Sequence, residues 1–174
     1  MGISDDYEDC PTGSYCPTGS KFPTECSPGT FNPTPNAWLP EHCEDCPPGH
    51  YCATAGLSNP TEECSAGYYC HIGAIEPNPD AAELDVSIEV AGTTSKYGPC
   101  PEGHYCPKGT AYPFKCPPGT YRDSPKATSI DDCLACDAGY YGESAGMTIS
   151  TCTGKCAAGY WCASNSTMPT PVDY

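Results

Sequence analysis

The sequence predicts a small, disulfide-rich protein: an extended tandem array of short modules with β-hairpins and little other regular secondary structure. Three observations predict it. First, the skeleton Cys-x-x-Gly-x-aromatic starts at Cys10, Cys26, Cys46, Cys64, Cys100, Cys116, Cys136 and Cys156. Recurrence on this scale marks a repeat protein. Second, the 174 residues include 16 Cys, 21 Pro and 18 Gly, a disulfide-scaffold composition. Third, Leu, Ile, Val and Phe are scarce, so a conventional core would bury too little apolar area to offset chain entropy.

The unit explains its own residues. Proline after Cys10, Cys46, Cys100 and Cys116 keeps the chain extended. The fourth position is always glycine, as a backbone site of positive φ requires. The sixth is Tyr15, Phe31, Tyr51, Tyr69, Tyr105, Tyr121, Tyr141 or Trp161. This aromatic is expected to fold back over the disulfide and supply most of the local apolar contact.

In chain order, residues 1–9 are an acidic lead-in, and residues 10–70 hold four units. Residues 71–99 lack cysteine and read as a linker. Within it, Asp80 to Leu84 suits a helical turn, and Val86, Ile88 and Val90 alternate with polar residues as in a strand. Residues 100–162 hold four more units, and 163–174 form a Pro- and Thr-rich exit. Adding 90 to positions 10, 26 and 46 gives 100, 116 and 136, so the second array is a copy of the first. No segment reads as a signal peptide, so the sequence is expected to be a mature fragment or a segment of something longer.

Each unit contains two cysteines. In-unit pairing joins Cys10 with Cys16, Cys26 with Cys43, Cys46 with Cys52, and Cys64 with Cys70. In the second array it joins Cys100 with Cys106, Cys116 with Cys133, Cys136 with Cys152, and Cys156 with Cys162. One comparison favours this scheme. Gly142 stands where the first array has Cys52, and Cys152 appears further on, so the count per unit is kept. A shifted register would need tight bridges such as Cys43 to Cys46 and Cys133 to Cys136. Pairing of a short unit's second cysteine with the next unit is the other alternative.

The stretch from Cys26-Ser-Pro-Gly-Thr-Phe31 through Cys43-Glu-Asp-Cys46-Pro-Pro-Gly-His-Tyr51 resembles the ephrin-receptor-like cysteine-rich module. That module is related to tumour-necrosis-factor-receptor and EGF-like repeats. Cys116-Pro-Pro-Gly-Thr-Tyr121 through Cys133-Leu-Ala-Cys136-Asp-Ala-Gly-Tyr-Tyr141 is similar to it as well. The resemblance implies a stack of disulfide-linked modules. Such arrays occur in receptor ectodomains and in large surface proteins of protists and algae, including flagellar hair (mastigoneme) proteins.

Charge and motifs narrow the function classes. A net charge of −15 disfavours nucleic acid and anionic membrane as partners. No apolar stretch of about 18 residues is present to span a bilayer. The Cys-x-x-Cys spacing at Cys43 and Cys133 is half a zinc site, but these cysteines already belong to an even, periodic set. His50 and His104 occupy a tolerant position expected to be exposed. No nucleophile, phosphate loop or carboxylate pair stands out, so no enzyme activity, cofactor or metal is expected. Asn165-Ser166-Thr167 is a complete N-glycosylation motif.

The expected role is structural: a subunit or segment of an extracellular or cell-surface filament, self-associating through its repeats as a homopolymer. Tyr68, Tyr140, Tyr160, Val86, Ile88 and Val90 are the candidate contacts. The alternative is the protein-binding ectodomain of a receptor or adhesion protein, with residues 71–99 as its recognition loop.

Overall fold

The computed structural model describes residues 8–80 and 96–171. The protein is small and disulfide-rich. Its regular structure among these residues is a series of two-stranded antiparallel hairpins and two short 3-10 turns, Pro40–His42 and Ile130–Asp132. Eight disulfides join the two cysteines inside each unit. Their Cα–Cα separations run from 5.6 to 6.4 Å, within the ordinary range.

The hairpins do not lie inside units. They span the junctions. The fifth and sixth residues of one unit pair with the two residues before the next unit's first cysteine. Ser14–Tyr15 pairs with Thr24–Glu25, and Thr30–Phe31 with Glu44–Asp45. His50–Tyr51 pairs with Glu62–Glu63, and His104–Tyr105 with Phe114–Lys115. Thr120–Tyr121 pairs with Leu134–Ala135, and Tyr140–Tyr141 with Gly154–Lys155. Across the insertion, Tyr68–Cys70 pairs with Tyr97–Pro99 in the same way.

Four further backbone hydrogen bonds recur at all seven junctions, at 2.7–3.3 Å. The junction of unit 4 (from Cys64) with unit 5 (from Cys100) illustrates them. Cys100 N donates to Gly67 O, and Gly67 N donates to Cys106 O. Cys70 N donates to Thr110 O, and Gly109 N donates to Cys64 O. The two arrays therefore share one continuous ladder across the insertion. A chain with so few aliphatic side chains satisfies its backbone through this ladder rather than through long strands.

The fourth-position glycines sit at φ between 72° and 88°. Their second constraint is space. A Cβ on Gly49 would lie 2.5 Å from the carbonyl oxygen of Gly109, two units ahead. Gly13 meets Gly56 and Gly103 meets Gly146 even more closely, and Gly119 would meet Asn165 O at 2.5 Å. Units 1 to 6 thus each touch the next unit and the next but one. The packing therefore reaches beyond immediate neighbours.

Two expectations change. At Tyr51 and Tyr69 the aromatic packs with the following unit's disulfide instead of its own. Tyr69 of unit 4 clusters with Cys100 and Cys106 of unit 5, and Tyr51 packs against Cys64, Cys70, Ala74 and Tyr97. These two rings lie on the next unit's bridge because the hairpin carries them across the junction. His104 is buried rather than exposed, with Nδ1 2.8 Å from Glu102 O. Of the helical turn expected over Asp80 to Leu84 only Asp80 is described; residues 81–84 and the strand at Val86, Ile88 and Val90 lie outside the described residues.

Gly139 shares the positive φ, at 86°, but an added Cβ there meets nothing within 4 Å. Gly139→Ala should cost only left-handed strain, about 1–2 kcal/mol. Gly49→Ala should cost more, because its methyl group must displace backbone. Tm and oxidative refolding yield of the two variants compare them directly.

Candidate interaction surfaces

The described residues hold no group of three or more metal-ligating side chains, and no cysteine is free. The perturbed titratable groups serve loops and surface contacts. Asp132 ends the 3-10 turn in the long loop of unit 6. Its Oδ2 accepts from Thr128 N at 2.7 Å, Ser129 N at 3.1 Å and Thr128 Oγ1 at 3.0 Å. These bonds, helped by Arg122, hold its carboxyl below the usual range. In the first array the same turn position is His42, whose Nδ1 lies 3.2 Å from Leu39 N. The copy keeps an acceptor there while changing its chemistry.

Asp80, Tyr68 and Lys126 form a surface cluster between unit 4 and unit 6. Lys126 Nζ lies 2.7 Å from Asp80 Oδ1 and 4.8 Å from the centre of the Tyr68 ring. Tyr68 donates its hydroxyl to Asp80 at 3.2 Å. The Lys126 ammonium first, then the Tyr68 hydroxyl, lowers the Asp80 carboxyl. Asp80 raises the Lys126 amine in return. Both ions are solvent-exposed, so the pair orders the two units more than it stabilises them.

The self-association candidates therefore separate. Tyr68 is engaged within the chain. Tyr140 is half-buried in its hairpin opposite Lys155. Tyr160 is exposed. Val86, Ile88 and Val90 lie outside the described residues. Asn165 is exposed, and it also has a positive φ of 70° and donates its N–H to Cys136 O. The asparagine of the glycosylation motif thus has a backbone role of its own.

That role belongs to a second left-handed position, not anticipated from the sequence. It falls nine or ten residues after each unit's first cysteine: Gly19, Asn36, Gly56, Gly73, Gly109, Lys126, Gly146 and Asn165. From unit 2 onward its N–H caps the preceding unit's first cysteine. In units 3 to 8 its carbonyl abuts the glycine two units back. The recurrence of Gly or Asn at this offset was the available signal. Also unanticipated is Asn32, fully buried. Its Nδ2 donates to Ser14 O at 2.9 Å, and its Oδ1 accepts from Thr34 N and Oγ1.

The two most exposed of the large hydrophobic residues lie in the first and last units. Phe22 is 72% exposed and Trp161 is 74% exposed. A cleft of about 580 Å³ borders Asp9, Cys16, Ser20 and Phe22, and one of about 300 Å³ borders Gly159, Trp161 and Ala163.

The disulfide content favours an extracellular or secreted protein, and no helix among the described residues is long and apolar enough to cross a membrane. No protein-family model and no curated protein matches the chain.

Asn32→Ala leaves Ser14 O and Thr34 N without partners and should destabilise the first array by about 1–3 kcal/mol, read as a lower Tm. For Asp132, whose folded carboxyl is depressed, the stabilising contribution is present above the unfolded value. It is lost as pH falls through the folded one. Lowering the pH below about 4 should therefore deprotect the Thr128 and Ser129 amides relative to their intrinsic exchange rates. In Asp132→Asn this pH step should disappear.

Proposed function

We propose that this chain is a structural subunit or segment of an extracellular or cell-surface filament, self-associating through its repeat units. The observation that supports this most is the identical backbone junction repeated seven times along the chain. A surface whose bonds come from the backbone adds like units in one dimension and tolerates varied side chains. The resemblance to ephrin-receptor-like arrays of surface and flagellar hair proteins agrees with it. The proposed role is non-enzymatic. Glycosylation at Asn165 fits a surface protein.

A protein-binding ectodomain is the second reading. It draws on the insertion between units 4 and 5, where the array departs from its period.

Electron microscopy of native, unreduced material distinguishes the two. The filament reading expects regular fibres whose axial repeat corresponds to one chain or half a chain. Dispersed single particles at all concentrations would reject it.

A further inference from the structure

The last unit ends with a junction surface that every earlier unit has covered. The first unit presents the matching groups. We propose that unit 8 of one chain binds unit 1 of a second copy, head to tail, through the same junction that joins successive units inside the chain. The inference rests on the filament reading and names its contact.

The unfilled face is defined by comparison. Six fourth-position glycines, from Gly13 to Gly119, are buried, while Gly139 and Gly159 are exposed. These two belong to the units that lack a partner two places ahead. An added Cβ meets nothing within 4 Å at either. Among the described residues, Gly159 N, Gly159 O, Cys162 N and Cys156 O make none of the junction bonds that their counterparts make in units 1 to 7. Tyr160 and Trp161 form no hairpin, although the equivalent pair does so in each preceding unit. Trp161 is the one sixth-position aromatic classed as exposed.

Unit 1 is shaped to fill that face. It is the duplicate of unit 5, which docks on unit 4 in the same way. Gly19 has φ 83°, the docking conformation, and a Cβ there meets nothing within 4 Å. Ser20 N and Oγ close on Pro17 O, at 3.0 and 2.7 Å. Thr110 Oγ1 closes on Pro107 O in the docked unit 5, at 2.6 Å. By register, Glu8 and Asp9 would pair with Trp161 and Tyr160. Acidic residues hold the same strand in Glu44–Asp45 and Glu62–Glu63.

Three of the four junction bonds then form between groups with no junction partner: Gly159 N to Cys16 O, Gly19 N to Cys156 O, and Cys162 N to Ser20 O. The fourth requires an exchange. Cys10 N now donates to Asn36 Oδ1 at 3.1 Å and would transfer to Gly159 O.

The counterpart junction inside the chain gives two further matches. Ala157 N bonds Pro169 O at 2.9 Å as Ser65 N bonds Pro77 O at 2.7 Å, so the chain leaves unit 8 along the path by which it leaves unit 4. That path leaves the face of unit 4 open to unit 5. Across the same junction the Tyr112 ring packs on His71, with centroids 4.6 Å apart. Phe22 is the duplicate of Tyr112 and Ala163 the duplicate of His71, which sends Phe22 into the cleft beside Trp161. Such a contact is heterologous and repeats without closing.

The test uses the full, oxidised chain with p-benzoylphenylalanine in place of Trp161, mixed from ¹⁴N and ¹⁵N preparations. Mixed-isotope cross-links from position 161 to residues 8–25 are expected. Gly139→Asn keeps a residue type that this chain already holds at positive φ. It places side-chain atoms where Gly19 of the second copy would approach, and should weaken association at least about tenfold in sedimentation. Polymers that cross-link elsewhere, or that ignore Gly139→Asn, overturn this contact and leave the filament reading standing. Absence of both polymers and intermolecular cross-links overturns both. In native material, a cross-link from position 161 into a sequence outside this chain places another polypeptide on the face and overturns the proposal.

Discussion

The structure depends on how closely one backbone can approach another at the fourth-position glycine. There the chain donates its N–H forward, accepts from the next unit's first cysteine, and lies against a carbonyl two units ahead. A side chain would block the third contact and strain the first two. The same point therefore sets the step along the array and the contact between alternate units.

Disulfides and hydrogen bonds divide the work. The disulfides close each unit and reduce the entropy of its unfolded chain. The backbone bonds stack the units. The division explains why the second cysteine can move. Asn32, Arg122 and Gly142 stand at the position occupied by the second cysteine of the short units. Their main chains still accept from the preceding glycine and donate to the following unit. The junction reads the backbone, and the side chain there is a buried amide at Asn32 and a loop-bracing guanidinium at Arg122, while at Gly142 a Cβ would lie 2.9 Å from Cys136 Sγ. Arg122 does brace its loop, donating to Ser124 O at 3.0 Å and Asp132 O at 3.3 Å.

The duplication adds a second level of order. Units 1 and 5 share a turn, units 4 and 8 share an exit path, and the ladder joins unit 4 to unit 5. Unit 8 leaves uncovered, among the described residues, the donors and acceptors that every earlier unit has filled. Phe22 in unit 1 and Trp161 in unit 8 are the most exposed large hydrophobic residues among those described.

The sequence by itself determined the unit, its glycine, the scarcity of core and the fold class, because cysteine, glycine and aromatic residues recur at fixed offsets within a few residues of one another. It also carried the duplication, as a shift of 90 residues in three unit-opening cysteines. Only the tertiary structure decided where the rings lie, why Gly and Asn recur at the second left-handed position, and that alternate units touch. Asn32 carries no distinguishing signal in the sequence, yet it is a fully buried tie between units 1 and 2. The physical reason is common to all of these. They are contacts between backbone atoms, or side chains acting on them, at sequence separations set by variable loops. Backbone groups are the same in every residue, so the one-dimensional pattern does not record which of them meet.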